Sequence, residues 1–229
     1  MPRNFLLTLG DRKEYCEENR LSTQSNKLVL AMSKKQIILQ AAAKLFSERG
    51  FKETPMSELS KLTGVAEGTI FYHFKNKEEL FVAILEDLRK TITEEFERYA
   101  LEKEFHSGLQ MVEGALLFYL ELASHLEDRF LLLHRHYPYE LAEANRECRK
   151  HLEAIYNCFV DIFERAVVRG QEDGSIAKMP PRKAAMLLFS MVDGLVRFDT
   201  YNLYDAGALY QELIESCRRM LKNTKCEDA

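Results

Sequence analysis

From residue 34 onward, apolar side chains return at three- and four-residue intervals, and no stretch alternates apolar with polar residues over the length of a strand. That period is near the 3.6 residues of a helical turn, so each segment carries its apolar side chains on one helical face. The Asp173-Gly174 pair follows a helical segment rather than joining two apolar runs as a hairpin would require. The chain is therefore predicted to be all-α.

Local signals divide the pattern into helices. Ser33 and Gln36 stand at capping-box spacing ahead of Ile38, Ala41, Ala42, Leu45 and Phe46, and Gly50 offers a stop. Thr54-Pro55 reads as an N-cap followed by a proline at the first helical position, with Met56, Leu59 and Leu62 behind it and Gly64 as terminator. A third short helix is expected over 67–74, with Ile70 and Phe74 on one face. Asn76 and Glu79 form a second capping pair, from which Leu80, Ile84, Leu88, Ile92 and Phe96 carry a long helix toward residue 103. Helices are predicted next over 109–123 and 126–137, the second ended by Pro138. One long stripe from Leu141 through Phe159 to Ala166 is expected to close at Gly170. After Pro180-Pro181, helices over 182–203 and 206–222 complete the pattern. The first of these is apolar around much of its circumference, and Ser190 and Gly194 would let another helix approach, so a homodimer is expected.

Composition narrows the class. With 229 residues, 46% hydrophobic and 30% charged, the chain can bury a core without staples. The longest apolar stretches, 116–120 and 184–189, fall far below the roughly 18 residues of a membrane span, so no membrane partner is expected. Five cysteines at 16, 148, 158, 217 and 226 form no C-x-x-C pair and suggest free thiols in a reducing, cytoplasmic compartment. Residues 1–32 show no steady period and are expected to form a disordered extension. Phe5-Leu6-Leu7 is too short for a signal peptide, and Met32 is a candidate initiator. The net charge of −4 speaks against nucleic acid until it is resolved by segment: +1 over 1–33, +2 over 34–80 and −7 over 81–229.

The two short helices around Gly64 have helix-turn-helix dimensions, with the second able to enter a DNA major groove. Gly68 would admit a duplex backbone closely, Thr69 can bond a base edge or touch a thymine methyl, and Tyr72, His73, Lys75 and Lys77 can reach phosphates. Such a corner also occurs in helical proteins that bind no DNA. The run from Ile38 to Leu80 is more specific: Ala42-x-x-Leu45-Phe46, Arg49-Gly50-Phe51, Thr54, then Thr63-Gly64-Val65-Ala66-Glu67-Gly68-Thr69-Ile70-Phe71-Tyr72-His73-Phe74-Lys75-Asn76-Lys77. It closely resembles the N-terminal domain of the TetR family of transcriptional regulators.

That resemblance implies a homodimer with a DNA-binding unit over 33–80, its motif about 56–75, and a helical effector-binding and dimerisation unit over 81–229. It also implies a repressor released from a palindromic double-stranded operator when a small, largely apolar effector binds. By motif position, Thr54 would contact phosphate, Glu67, Gly68 and Thr69 would face bases, and Tyr72, His73 and Lys77 would hold the backbone. Two positions depart from the family pattern. Ala66 replaces the usual small hydroxyl residue, removing a side-chain cap worth about 1 kcal/mol. Phe71 replaces a frequent Tyr, leaving Tyr72 as the phosphate donor. Glu67 can accept from cytosine N4 or simply complement the helix dipole.

In the C-terminal unit, Tyr119, His125, His134, Tyr156, Phe159 and Phe198 are candidate effector contacts, although aromatics at helical spacing also serve as plain core. Cys148 and His151 share a helix face, with His134-x-His136 nearby, so a metal-sensing regulator is an alternative, as is a DNA-binding protein without an effector. No complete metal set is recognisable, and no cofactor is expected. The absence of G-x-S-x-G, H-E-x-x-H, P-loop and G-x-G-x-x-G motifs argues against an enzyme.

Overall fold

The computed structural model describes residues 33–222. The expectations for an N-terminal extension, a start at Met32, and Cys16 and Cys226 fall outside the described residues. The elements are α1 (Lys34–Arg49), α2 (Met56–Thr63), α3 (Glu67–His73), α4 (Lys77–Glu102), α5 (Gly108–His125), α6 (Glu127–His134), α7 (His136–Ala144), α8 (Arg146–Glu172), α9 (Pro181–Thr200), a 3-10 turn (Ala206–Leu209) and α10 (Tyr210–Leu221). Among the described residues the only extended pairing is a single bridge between Ile176 and Lys222.

Helix starts follow local chemistry where the caps are side chains. Ser33 and Gln36 close a reciprocal capping box on α1, and Asn76, Ser107 and Asn145 each accept a backbone N–H at the starts of α4, α5 and α8. Gly64 ends α2 in the left-handed conformation, φ 68°, which costs a residue without a Cβ little.

Several boundaries differ from the sequence expectation. Thr54 does not cap α2: its hydroxyl donates to the Gly50 carbonyl at 2.8 Å, and Pro55 occupies the cap. Pro138 does not end a helix. It lies in the first turn of α7, where its missing N–H has no intrahelical partner to lose. The helix expected from Leu141 onward begins at Arg146 instead, with Leu141 on α7, and it runs past Gly170 to Glu172. The crossing of α5 on α8 needs Gly108: a Cβ built there would lie 2.0 Å from the Gly170 backbone nitrogen, whereas one built at Gly170 would meet the Ile176 side chain at 2.4 Å. Asp173 then ties the crossing by accepting from the Gly108 N–H at 2.6 Å.

α8 is the central post, with α4, α5, α7 and α9 packed around it. Ile155, Phe159, Phe163 and Ala166 are fully buried along it, which is the predicted stripe. At the other end α1, α2 and α3 close over Ile38, Phe46, Leu59 and Ile70, and α1 leans on both α4 and α6. Gly108→Ala should therefore lower stability by about 1–3 kcal/mol in urea unfolding, because one methyl must enter a backbone–backbone contact. Gly68→Ala, whose Cβ would meet nothing within 4 Å, should leave stability near wild type.

Candidate nucleic-acid interface

α3 is held from beneath and open above. Ile70 and Phe74 are buried, while Glu67, Gly68, Phe71 and Tyr72 are exposed, with Tyr72 at 84%. Thr69 and His73 are half-buried, and the His73 ring meets Tyr72 edge-on at 5.3 Å. No side chain caps the helix at Ala66, as its residue type predicts. The turn before it is fastened by Thr63, whose hydroxyl donates to the Leu59 carbonyl and accepts from the Val65 N–H. Five of the seven sequence-selected positions, Glu67 to Thr69 with Tyr72 and His73, thus form one surface.

The other two have internal roles. Thr54 is fully buried, and its hydroxyl is spent on the α1–α2 loop, so its side chain is not free for phosphate. Lys77 folds back on the same loop, donating to the carbonyls of Phe51 at 2.5 Å and Thr54 at 3.0 Å, with its ammonium 4.4 Å from the Phe51 ring centre. Burial lowers the pKa of this lysine, as expected of a structural ammonium. Sequence spacing could not distinguish a lysine facing outward from one that closes its own loop. Exposed cations near α3 include Lys61, Lys75 and Lys35, whose ammonium lies 5.8 Å from the Phe74 ring centre. Arg49 is paired with Glu58 and Lys52 with Glu140.

The proposed effector residues also divide. Tyr119, His134, Tyr156 and Phe159 converge between α5, α6, α8 and α9. The Tyr119 ring lies 4.7 Å from Phe159 and 5.7 Å from Phe189, and Tyr156 lies 5.8 Å from Phe189. His125 is exposed at the end of α5, and Phe198 is on the outer face of α9 beside Tyr204, so neither joins them. The residue that periodicity missed as their partner is Asp193. Its Oδ1 accepts both the Tyr119 hydroxyl at 2.6 Å and His134 Nε2 at 3.0 Å. Burial pushes this carboxyl up, but the hydrogen bonds and charges of His134, Tyr119 and Arg197 outweigh it and hold the group below its ordinary value. The Tyr119 hydroxyl is correspondingly pushed well up by burial and by Asp193. Cys148 points into the core toward the Pro138 carbonyl, with burial raising its thiol to about 11. Among the described residues no group of three or more His, Cys, Asp or Glu side chains is placed to hold a metal ion.

The two regions meet at the α6–α7 corner. The His134 carbonyl accepts from the Tyr201 hydroxyl at 3.1 Å, the next residue Arg135 donates to the Ser47 carbonyl at 2.5 Å, and the Tyr137 ring stacks on Phe51 at 3.8 Å. Ser47 also donates to Asp128 at 3.2 Å, and Arg129 pairs with Asp87 on α4 at 2.6 Å. The short segment 134–137 therefore touches both the polar cluster and the end of α1.

Residues 38–84 match the model described as bacterial regulatory proteins of the tetR family. The HTH-type transcriptional regulator TtgR of Pseudomonas putida is 30% identical over 164 residues, covering 70% of this chain and 77% of that one. The fatty acid metabolism regulator protein of Bacillus subtilis (strain 168) is 26% identical over 181 residues, 78% of this chain and 90% of the relative. Among solved structures, the transcriptional regulator FadR from Bacillus subtilis in complex with stearoyl-CoA superposes with a TM-score of 0.67 at 22% identity, covering 82% of this chain and 99% of that one. A transcriptional regulator from Saccharomonospora viridis in complex with choline gives 0.65 at 19% identity, over 82% and 97% of the two chains. With its helix-turn-helix, its all-helical body and a relative of this identity matched over most of its length, the chain belongs to the TetR family of bacterial regulatory proteins.

Proposed function

We propose that the protein is a homodimeric repressor that binds a palindromic operator through residues 33–80 and leaves it when a small molecule occupies the helical body from residue 81 onward, acting in the cytoplasm. The observation that carries the DNA contact is the outer surface of α3. Tyr72 is almost fully exposed on a helix pinned by Ile70 and Phe74, and Gly68 beside it has no neighbour in the protein that would require a glycine. A missing Cβ there serves something outside the molecule, and a duplex backbone is the natural candidate. Thr69 and Glu67 supply groups for base edges, while Tyr72, His73, Lys61 and Lys75 supply phosphate donors.

Dimerisation is supported by α9 and the 3-10 turn that follows it, which leave Met186, Leu187, Phe198 and Leu209 exposed. A Cβ at Gly194 would meet nothing within 4 Å, so that face of α9 is open to a second copy. Two α3 helices would then have to sit about 34–36 Å apart to enter successive major grooves. Release needs a mechanical link from effector to α3, and the α6–α7 corner supplies one, because displacing His134 also moves Arg135 and Tyr137 against Ser47 and Phe51. The neighbouring structures hold ligands as unlike as stearoyl-CoA and choline. The effector class must therefore come from this chain's own side chains.

Operator duplexes recovered by selection from random DNA should be palindromic, with affinity falling steeply as salt rises; selection of no sequence would overturn the repressor reading. Tyr72→Ala should weaken operator binding about tenfold or more in fluorescence anisotropy while leaving the melting temperature near wild type. Lys77→Ala should instead lower the melting temperature, since it uncovers the carbonyls of the α1–α2 loop. Tyr137→Ala should retain effector binding, read by calorimetry, yet lose most of the effector's ability to release DNA.

A further inference from the structure

The polar cluster is unusual in how it is left incomplete. Both donors to Asp193 fall on one oxygen, Oδ1, while Oδ2 takes part in neither bond, and the side chain keeps 21% of its exposure. His134 is fully buried, and its Nδ1 has no hydrogen-bond partner, so this polar edge is unsatisfied in a place where water cannot offset the loss. Around the carboxylate stand the faces and edges of Tyr119, Tyr156, Phe159 and Phe189, with Phe189 one helical turn before Asp193 on α9.

Beside this cluster lies a groove of about 290 Å³ between α7 and α8, lined by Tyr139, Ala142, Glu143, Arg149, Leu152, Glu153 and Tyr156. Tyr156 belongs to both: its ring packs on Phe189 and its hydroxyl meets that of Tyr139. The groove's charged rim has two carboxylates and one guanidinium. Arg149 is already turned onto the Ala142 carbonyl at 3.2 Å and toward Glu153 at 4.0 Å. A further cation by the cluster, Arg197, is exposed and reaches the His134 carbonyl at 3.5 Å. The chain from residue 81 onward also carries a net charge of −7.

We infer that the α7–α8 groove and the Asp193 cluster behind it form one site for an organic cation, an amine or quaternary ammonium carried on an apolar body. This rests on reading the C-terminal body as the effector-binding unit. The aromatic faces and the acidic rim both attract a positive charge, most strongly when the cation over such rings is desolvated. The cationic head parts Tyr139 from Tyr156 and approaches the free oxygen of Asp193, while the apolar body stays against Leu152 and Ala142. A carboxylate or phosphate ligand would meet Glu143, Glu153 and Asp193 instead. Because His134 shares Asp193 and begins the corner that holds α1, arrival of the cation bears directly on the element that positions α3.

The test is calorimetry on the full chain with three probes of similar size: benzyltrimethylammonium, its uncharged carbon isostere neopentylbenzene, and 3-phenylpropionate. The cation is expected to bind at least about tenfold more tightly than either of the others, and Asp193→Asn should remove that preference. Where Asp193→Asn does not fold, Glu143→Gln with Glu153→Gln should still reduce cation affinity severalfold. In the wild-type protein the imidazole nitrogen resonances of His134 should shift with the cation and not with the isostere. Equal or tighter binding of the isostere or the anion, no binding of the cation, or an unmoved His134 would overturn the site. Operator release is read separately by anisotropy. A cation that binds but leaves the operator complex intact would count against ligand-induced release while the site stands. Release by the anion alone would remove the cation site and leave the repressor reading in place.

Discussion

The structure depends on how the end of α1 is fixed to the helical body, where the contacts of residues 134–137 add to the packing of α1 on α4 and α6. Ser47 lies in the last turn of α1, where a carbonyl has lost its intrahelical partner, and Arg135 supplies the missing donor. Two residues further on, the Tyr137 ring covers Phe51, and the Lys77 ammonium sits over the same phenyl ring. The orientation of α3 is inherited from this arrangement, because α1 and the 51–54 loop are the surfaces on which α2 and α3 are built. Interactions of these kinds contribute about 1 kcal/mol each. A handful of them holds one orientation, yet their sum lies within reach of the roughly 5.5 kcal/mol that a ligand needs to reverse a two-state population.

Charge is used sparingly on the DNA side. The segment 34–80 carries a surplus of only +2, and Arg49, Lys52 and Lys77 are engaged within the protein. Attraction to phosphate then rests on placed donors and, in the proposed dimer, on their duplication by symmetry rather than on a broad basic field. The body carries the opposite balance. The Asp193 carboxylate is stabilised by a phenol and an imidazole, an arrangement that keeps a negative charge among aromatic rings without consuming it in a direct pair with an arginine.

Much of the fold was legible residue by residue. The stripe of Ile38, Ala42 and Phe46, the caps at Ser33 and Asn76, and the Gly64 stop are interactions among residues within about one turn of each other, which is the range over which sequence pattern is informative. The exposed face of α3 was legible for the same reason, since two buried positions four apart leave the opposite side to solvent. The effector cluster was only half legible. Tyr119, His134, Tyr156 and Phe159 were marked as aromatic or polar residues on apolar helices, but so were His125 and Phe198, and period alone cannot say which of two apolar faces turns inward.

By itself, the sequence determined an all-helical chain, the extent of most helices and the surface of α3, because hydrogen bonding within a helix and the 3.6-residue period are local. Tertiary structure decided what depends on residues far apart in the chain. Thr54 turns to Gly50 because burial demands a partner for its hydroxyl, and Lys77 closes a loop more than twenty residues before it. Gly108 is consumed by its crossing over the Gly170 backbone, and Asp193 is joined to His134 across fifty-nine residues of sequence. In each case a polar group or backbone removed from water had to be satisfied by whatever the packing of distant helices brought within reach.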